Sequence, residues 1–202
     1  MITVRDLIEN PLPAIAALAP WMATIAAETI VADGLTALGR DYATAGGVAV
    51  HETAAVEAGA ILKSPCIIGP GCFVAASAYL RGGVWLERDA IIGPACELKS
   101  SFMHAGSKTA HLNFVGDSVI GRRCNVEAGA MIANYRNERD DKRIVIAPVA
   151  ALGGGRIDTG VDKFGAILGD GTRIGANAVI APGAILLPGS VVRRLELIDQ
   201  AG

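Results

Sequence analysis

Stepping by six from Val50, the chain places a branched aliphatic at Val50, Val56, Leu62, Ile68, Val74, Leu80, Leu86, Ile92 and Leu98. The step lapses, resumes in a new frame at Phe114, Ile120, Val126 and Ile132, lapses again, and returns at Leu168, Ile174, Ile180, Leu186 and Val192. A fixed period marks a repeat architecture, whose units bury their apolar sides only by stacking on neighbours. Four residues after each aliphatic stands a small one: Ala54, Ala60, Cys66, Cys72, Ala78, Ala90, Cys96, Ser118, Cys124, Ala130, Thr172, Ala178, Ala184 and Ser190, with Val84 and Phe102 the larger occupants. A tight corner needs this large-small alternation. Six residues make one short strand plus a turn, and three units close a triangular coil of 18. The pattern therefore predicts a mainly β protein, a parallel β-helix over residues 48–193 with a tail at 194–202. The two frame breaks predict extruded loops at about 99–113 and 136–162. Residues 1–47 lack the repeat; Leu7 to Ala37 predicts one or two helices broken at Pro20, expected to cap the open end of the prism.

Composition sharpens this picture. The chain is 51% hydrophobic with 25 glycines but only 4% aromatic, as a narrow interior of Ala, Val, Ile and Gly requires. A net charge of −2 argues against a nucleic-acid binder. No run reaches the roughly 18 uncharged apolar residues of a membrane span. Asp6 and Glu9 stand where a signal peptide would be basic, so a cytoplasmic location is expected. All four cysteines occupy the small inward slot and are read as reduced structural thiols.

Coils stack at about 4.8 Å, so residues 18 apart in one frame lie above one another. Lys63, Arg81 and Lys99 are so spaced and predict a column of cations on one edge. Such a column needs an offset. One solution is solvated side chains fanning apart, or pairing with Glu57, Glu87 and Glu97; the other is an anion, above all a phosphate, bridged by the column. Of three histidines, His104 and His111 fall in the first expected loop, where a general base is commonly mounted. His51 would sit several coils away, so a shared zinc site is a poor fit. Neither a phosphate-loop nor a serine-elbow motif is present.

The stretch ELKSSFMHAGSKTAHLNFVGDSVIGRRCNVEAGAMIANY, within Leu80 to Tyr135, resembles the acetyltransferase domain of bacterial bifunctional N-acetylglucosamine-1-phosphate uridyltransferases. The pattern from Ile157 to Gly171 resembles the corresponding domain of archaeal-type sugar-1-phosphate nucleotidyltransferases. The resemblance covers about residues 50–192, without the pyrophosphorylase domain. It implies a left-handed helix of hexapeptide repeats and an acetyl-CoA-dependent N-acetyltransferase acting on an amino-sugar phosphate or a nucleotide-linked amino sugar, with no metal. It also implies a homotrimer with its sites between subunits. Alternatives are a longer-chain acyltransferase of lipid A type, or a non-catalytic sugar-nucleotide-binding trimer partnering a separate pyrophosphorylase.

By the same resemblance, His111 matches the base that deprotonates the attacking amine, and Asn134 matches a residue that orients it. Arg81 and Lys99 match holders of the sugar phosphate. Asn125 and Tyr135 match sugar-pocket positions, and Lys163 matches a basic residue of a closing loop. Ala176 and Arg193 are carried over as acetyl-CoA contacts. Phe114 replaces the family's usual Tyr, and Ala176 a Ser, which bears on the substrate more than on the reaction class.

Overall fold

A computed structural model describes residues 2–149 and 153–200. The repeat forms a left-handed parallel β-helix. Its three faces carry strands of mostly two or three residues. The first face contains Val48–His51, Cys66–Ile68, Val119–Ile120, Ala166–Leu168 and Ala184–Leu186. The second is a seven-stranded sheet running from Ala55–Val56 to Val191–Val192. The third holds Ile61–Leu62, Phe114–Gly116, Met131–Ile132, Val179–Ile180 and Leu197–Ile198. Two longer strands, Tyr79–Leu86 and Glu97–Met103, run along the third face and round the corner onto the first.

The interior is the aliphatic ladder expected. Leu80, Leu86, Ile92, Leu98, Val126, Ile132 and Ile174 are all at most 1% exposed and form one cluster with the small corner residues. After most inward aliphatics the third residue takes a positive φ, which turns the chain: Gly71, Ser77, Asp89, Ala95, Gly129 and Asn177 are examples. The cysteines line this interior without disulfides. Burial pushes the Cys66 thiol up to about 12 and those of Cys72 and Cys124 up to about 11, so they stay protonated.

The first frame break is not an extruded loop. Strand pairing continues through it, with Phe102 opposite Val119 and Lys108 opposite Asn125. Two units are each one residue short: inward Leu98 is followed by Met103, and inward Val115 by Ile120. Both shortenings fall at the corner joining the third face to the first. The inward slot belongs to Val115, while Phe114 points outward. A deletion and an insertion disturb a six-residue frame alike, which is why the lapse resembled a loop. The second break does leave the helix, between Met131–Ile132 and Ala166–Leu168, and carries an antiparallel hairpin of Val145–Ile146 with Ile157–Asp158. Residues 150–152, in the excursion expected at 136–162, lie outside the described residues. Nor is 194–202 wholly a tail: Leu197–Ile198 still pairs with Val179–Ile180.

The amino-terminal segment also differs from expectation. Residues 7–19 are turns, and Pro20 opens helix α1 (Pro20–Ile25) rather than breaking one, since its missing N–H costs nothing at a first helical position. Helix α2 (Ala27–Thr36) follows. The segment does not plug the open end of the prism; it lies along the outside of the first face. Ile15, Trp21, Ala27 and Val31 pack there with Ile67, Phe102, Val119 and Ile167, joined by Ile144, Ile146 and Phe164 of the excursion. The end is instead blunted by Tyr42–Ala45, an antiparallel strand on Val48–His51.

Candidate functional site

The third face collects much of the chemistry. Arg81 and Lys99 are register neighbours, and Lys63 continues the column through its backbone bond to Leu80 (2.8 Å). The offset is part pairing: Arg81 bridges Glu97 at 2.7 Å, as one expected solution has it. Lys99 instead bridges Asp117 at 2.7 Å. Asp117 is 5% exposed and belongs to the second shortened unit. It also accepts a hydrogen bond from Asn134 Nδ2, so Lys99, Asp117 and Asn134 form one connected group. Phe114 borders it, because a Cβ on Gly116 would lie 2.8 Å from the Phe114 ring and 2.7 Å from the Asn134 amide carbon. The column retains the half-exposed Arg81 head and the Lys99 ammonium beside the outward third face.

The excursion returns to this corner. Phe164 N–H donates to Asn134 O (3.1 Å) and Gly165 N–H to Asp117 O (2.9 Å). Lys163 thereby stands beside the Tyr135 ring, its Nζ 6.0 Å from the centroid, with Lys142 Nζ at 5.4 Å. Arg136 anchors the excursion: it is buried and bonded to Asp199 (2.6 Å) and to Pro182 O (2.9 Å).

His111 is exposed at the opposite corner of the same face, three residues before Phe114. Its carbonyl accepts from Gly129 N–H, while Asn113 beside it is a buried staple bonded to Glu127 O and Ala130 O. Below it in the stack comes Ala176, whose N–H donates to Glu127 Oε2 (2.9 Å). Asn125, Arg173, Arg193 and Arg194 line an open groove on the second face, with Arg194 held by Glu127 at 3.0 Å. The residues expected to serve one reaction thus occupy two corners and an adjoining groove. The structure brings Arg81, Lys99, Phe114 and Asn134 together, and separately Tyr135 with Lys163. Asn125, Ala176 and Arg193 lie apart from them.

The other histidines have different places. His104 is fully buried, not mounted on a loop; its Nε2 accepts the Leu12 N–H (3.2 Å) and its Nδ1 meets Ile120 O (2.7 Å). Acceptance at Nε2 leaves the proton on Nδ1, and burial pulls the imidazole below its ordinary range. It fastens the amino-terminal segment to the helix. His51 packs edge-on against Tyr42, ring centroids 4.9 Å apart. Asp117 and Lys142 escaped sequence reading; for Asp117 the signal was there, in the five-residue step from Val115 to Ile120.

No protein-family model matches the chain. It is 36% identical over 155 residues to the bifunctional sugar-1-phosphate nucleotidylyltransferase/acetyltransferase of Sulfurisphaera tokodaii, covering 74% of this chain and 37% of that protein. It is 31% identical over 128 residues to the bifunctional protein GlmU of Methanococcus vannielii (63% and 29%). To GlmU of Nitratidesulfovibrio vulgaris it is 29% identical over 158 residues (73% and 31%). The chain spans about a third of the length of these relatives.

Proposed function

Because the chain is a hexapeptide-repeat protein related to the bifunctional sugar-1-phosphate nucleotidylyltransferase/acetyltransferases, we propose that it is an acyl-CoA-dependent N-acetyltransferase for an amino-sugar phosphate resembling glucosamine 1-phosphate. The observation that carries this reading is one outward face that sets two neighbouring cations, Arg81 and Lys99, beside an ordered amide, with an exposed imidazole at its other corner. His111 is five residues from Gly116, the register partner of Lys99. At about 3.3 Å per residue this is at most ~17 Å of backbone, within the joint reach of a lysine, a hexosamine phosphate and an imidazole.

Ammonium has no lone pair, so the amino sugar must lose a proton to react. His111 takes it as general base. The nitrogen attacks the thioester carbonyl carbon, the C–N bond forms, the C–S bond breaks, and the thiolate leaves to be protonated as coenzyme A. Arg81 and Lys99 supply position: a held phosphate fixes the neighbouring amine and raises its effective concentration. The arginine-rich groove beside Ala176 suits the phosphates of acyl-CoA. We place the acceptor site between copies of a trimer, since the third face leaves Ile61 (51%), Met131 (41%), Val179 (40%) and Leu197 (63%) exposed.

The test is thiol release from acetyl-CoA with glucosamine 1-phosphate. His111→Ala should lower turnover by about 10²–10⁴-fold. Undiminished turnover in that variant would sink the mechanism. Silence with every acyl donor, alongside measurable sugar-phosphate binding, would favour a non-catalytic binding protein.

A further inference from the structure

Asp117 stands where the repeat is one residue short, with φ +43 and almost no exposed surface. Its N–H donates to Lys99 O (2.7 Å), and its two oxygens lie 2.7 and 2.9 Å from Lys99 Nζ. Oδ2 also meets the side-chain amide of Asn134. A carboxylate bridging an ammonium only accepts hydrogen bonds, so the Asn134 atom facing it must be the NH₂ group. The direction of that amide is therefore set by charge. Its carbonyl Oδ1 is turned the other way, and among the described residues no donor meets it. Gly116 makes room: a Cβ there would come within 2.7–2.8 Å of the Asn134 amide.

An attacking amine needs its remaining N–H groups held while its lone pair faces the thioester. A carbonyl oxygen accepts from such an N–H; an NH₂ group would repel it. We propose that Asp117 is a positioning residue that presents the Asn134 carbonyl oxygen to the acceptor's amino group and steadies the Lys99 ammonium for the acceptor's phosphate. One carboxylate then sets both ends of the acceptor. This rests on the acetyl-transfer reading of the third face.

Asp117→Asn is the informative variant, because Asn tolerates a left-handed φ and the corner should persist. It offers one acceptor oxygen where two neighbours need one. With acetyl-CoA and glucosamine 1-phosphate, kcat should fall about 10–100-fold. KM for the sugar phosphate should rise as well, since the Lys99 ammonium loses the carboxylate that steadies it. Adding Asn134→Asp restores a donor facing an acceptor, with one carboxylate oxygen left for the amine, and should recover at least about 10-fold of the lost kcat. An unchanged kcat in Asp117→Asn overturns the proposal. So does a loss that the double variant fails to lift while its Tm matches wild type.

A second readout needs no turnover. The Asn134 side-chain NH₂ signals in ¹⁵N NMR spectra, identified by their loss in Asn134→Ala, should exchange slowly with water and shift in Asp117→Asn. Fast exchange in the wild type contradicts the orientation, even if acetyl transfer is confirmed. Slow exchange in a protein that transfers no acyl group leaves the Asp117–Asn134 geometry standing, but removes both the acetyl-transfer reading and the amine-presenting role.

Discussion

The first and third faces of the prism carry the same kind of inward residue, but the chain covers the outward residues of the first and leaves those of the third open. Outward on the first face stand Ile67, Trp85, Phe102, Val119, Ile167 and Ile185, covered by the amino-terminal segment and the excursion. Outward on the third stand Tyr79, Glu97, Phe114, Met131 and Val179, none of them fully buried by the chain itself. The contrast separates what the repeat dictates from what the partner dictates. Inward positions must be aliphatic or small because each coil closes on the same narrow core. Outward positions are free of that constraint, so they record what each face meets. The first face meets its own chain; on our reading, the third meets ligand and further copies.

Paired truncations should expose the difference most strongly. Phe102→Ala, on the covered face, should cost about 3–5 kcal/mol in urea unfolding. Phe114→Ala, on the open face, should cost about 1 kcal/mol or less while weakening sugar-phosphate binding. Equal costs would mean that the third face is packed as tightly as the first. Acidification should act on the first face next. The folded-state pKa of His104 lies below its unfolded value, so between the two the unfolded chain binds a proton that the folded one refuses. Its stabilising effect is present above about pH 6.5 and is lost as pH falls toward the folded pKa, with a slope no steeper than about 1.4 kcal/mol per pH unit. His104→Gln should flatten that slope in urea midpoints measured from pH 7.5 to 5, and an unaltered slope would assign it to other groups. The smallest effect concerns the shared interior. With thiols raised to about 11–12, Cys66, Cys72 and Cys124 should stay silent toward a disulfide reagent at pH 8 until the chain unfolds. Rapid labelling of the native protein would show that the coils open.

How far the sequence could be read follows the same division. The inward ladder from Val50 to Leu98 and again from Leu168 was legible because burial enforces a strict period. Between them, two corners each shortened by one residue looked like an inserted loop, because a period reports only that the frame moved. Phe114 was therefore assigned inward, although it is Val115 that points into the core. The path of residues 7–37 was not legible either: their apolar surface announces burial, but only the outward column of the first face says against what. Arg81 and Lys99 emerged as one column from spacing alone. Asp117, which joins Lys99 to Asn134, was missed because its corner breaks the rule that made its neighbours readable.

Hydrogen–deuterium exchange with and without glucosamine 1-phosphate tests most directly whether the third face is the working one. The account predicts added protection in residues 79–81, 97–99, 114–117 and 131–135, with the first-face strands 66–68 and 184–186 unchanged. Protection confined to the first or second face would contradict it.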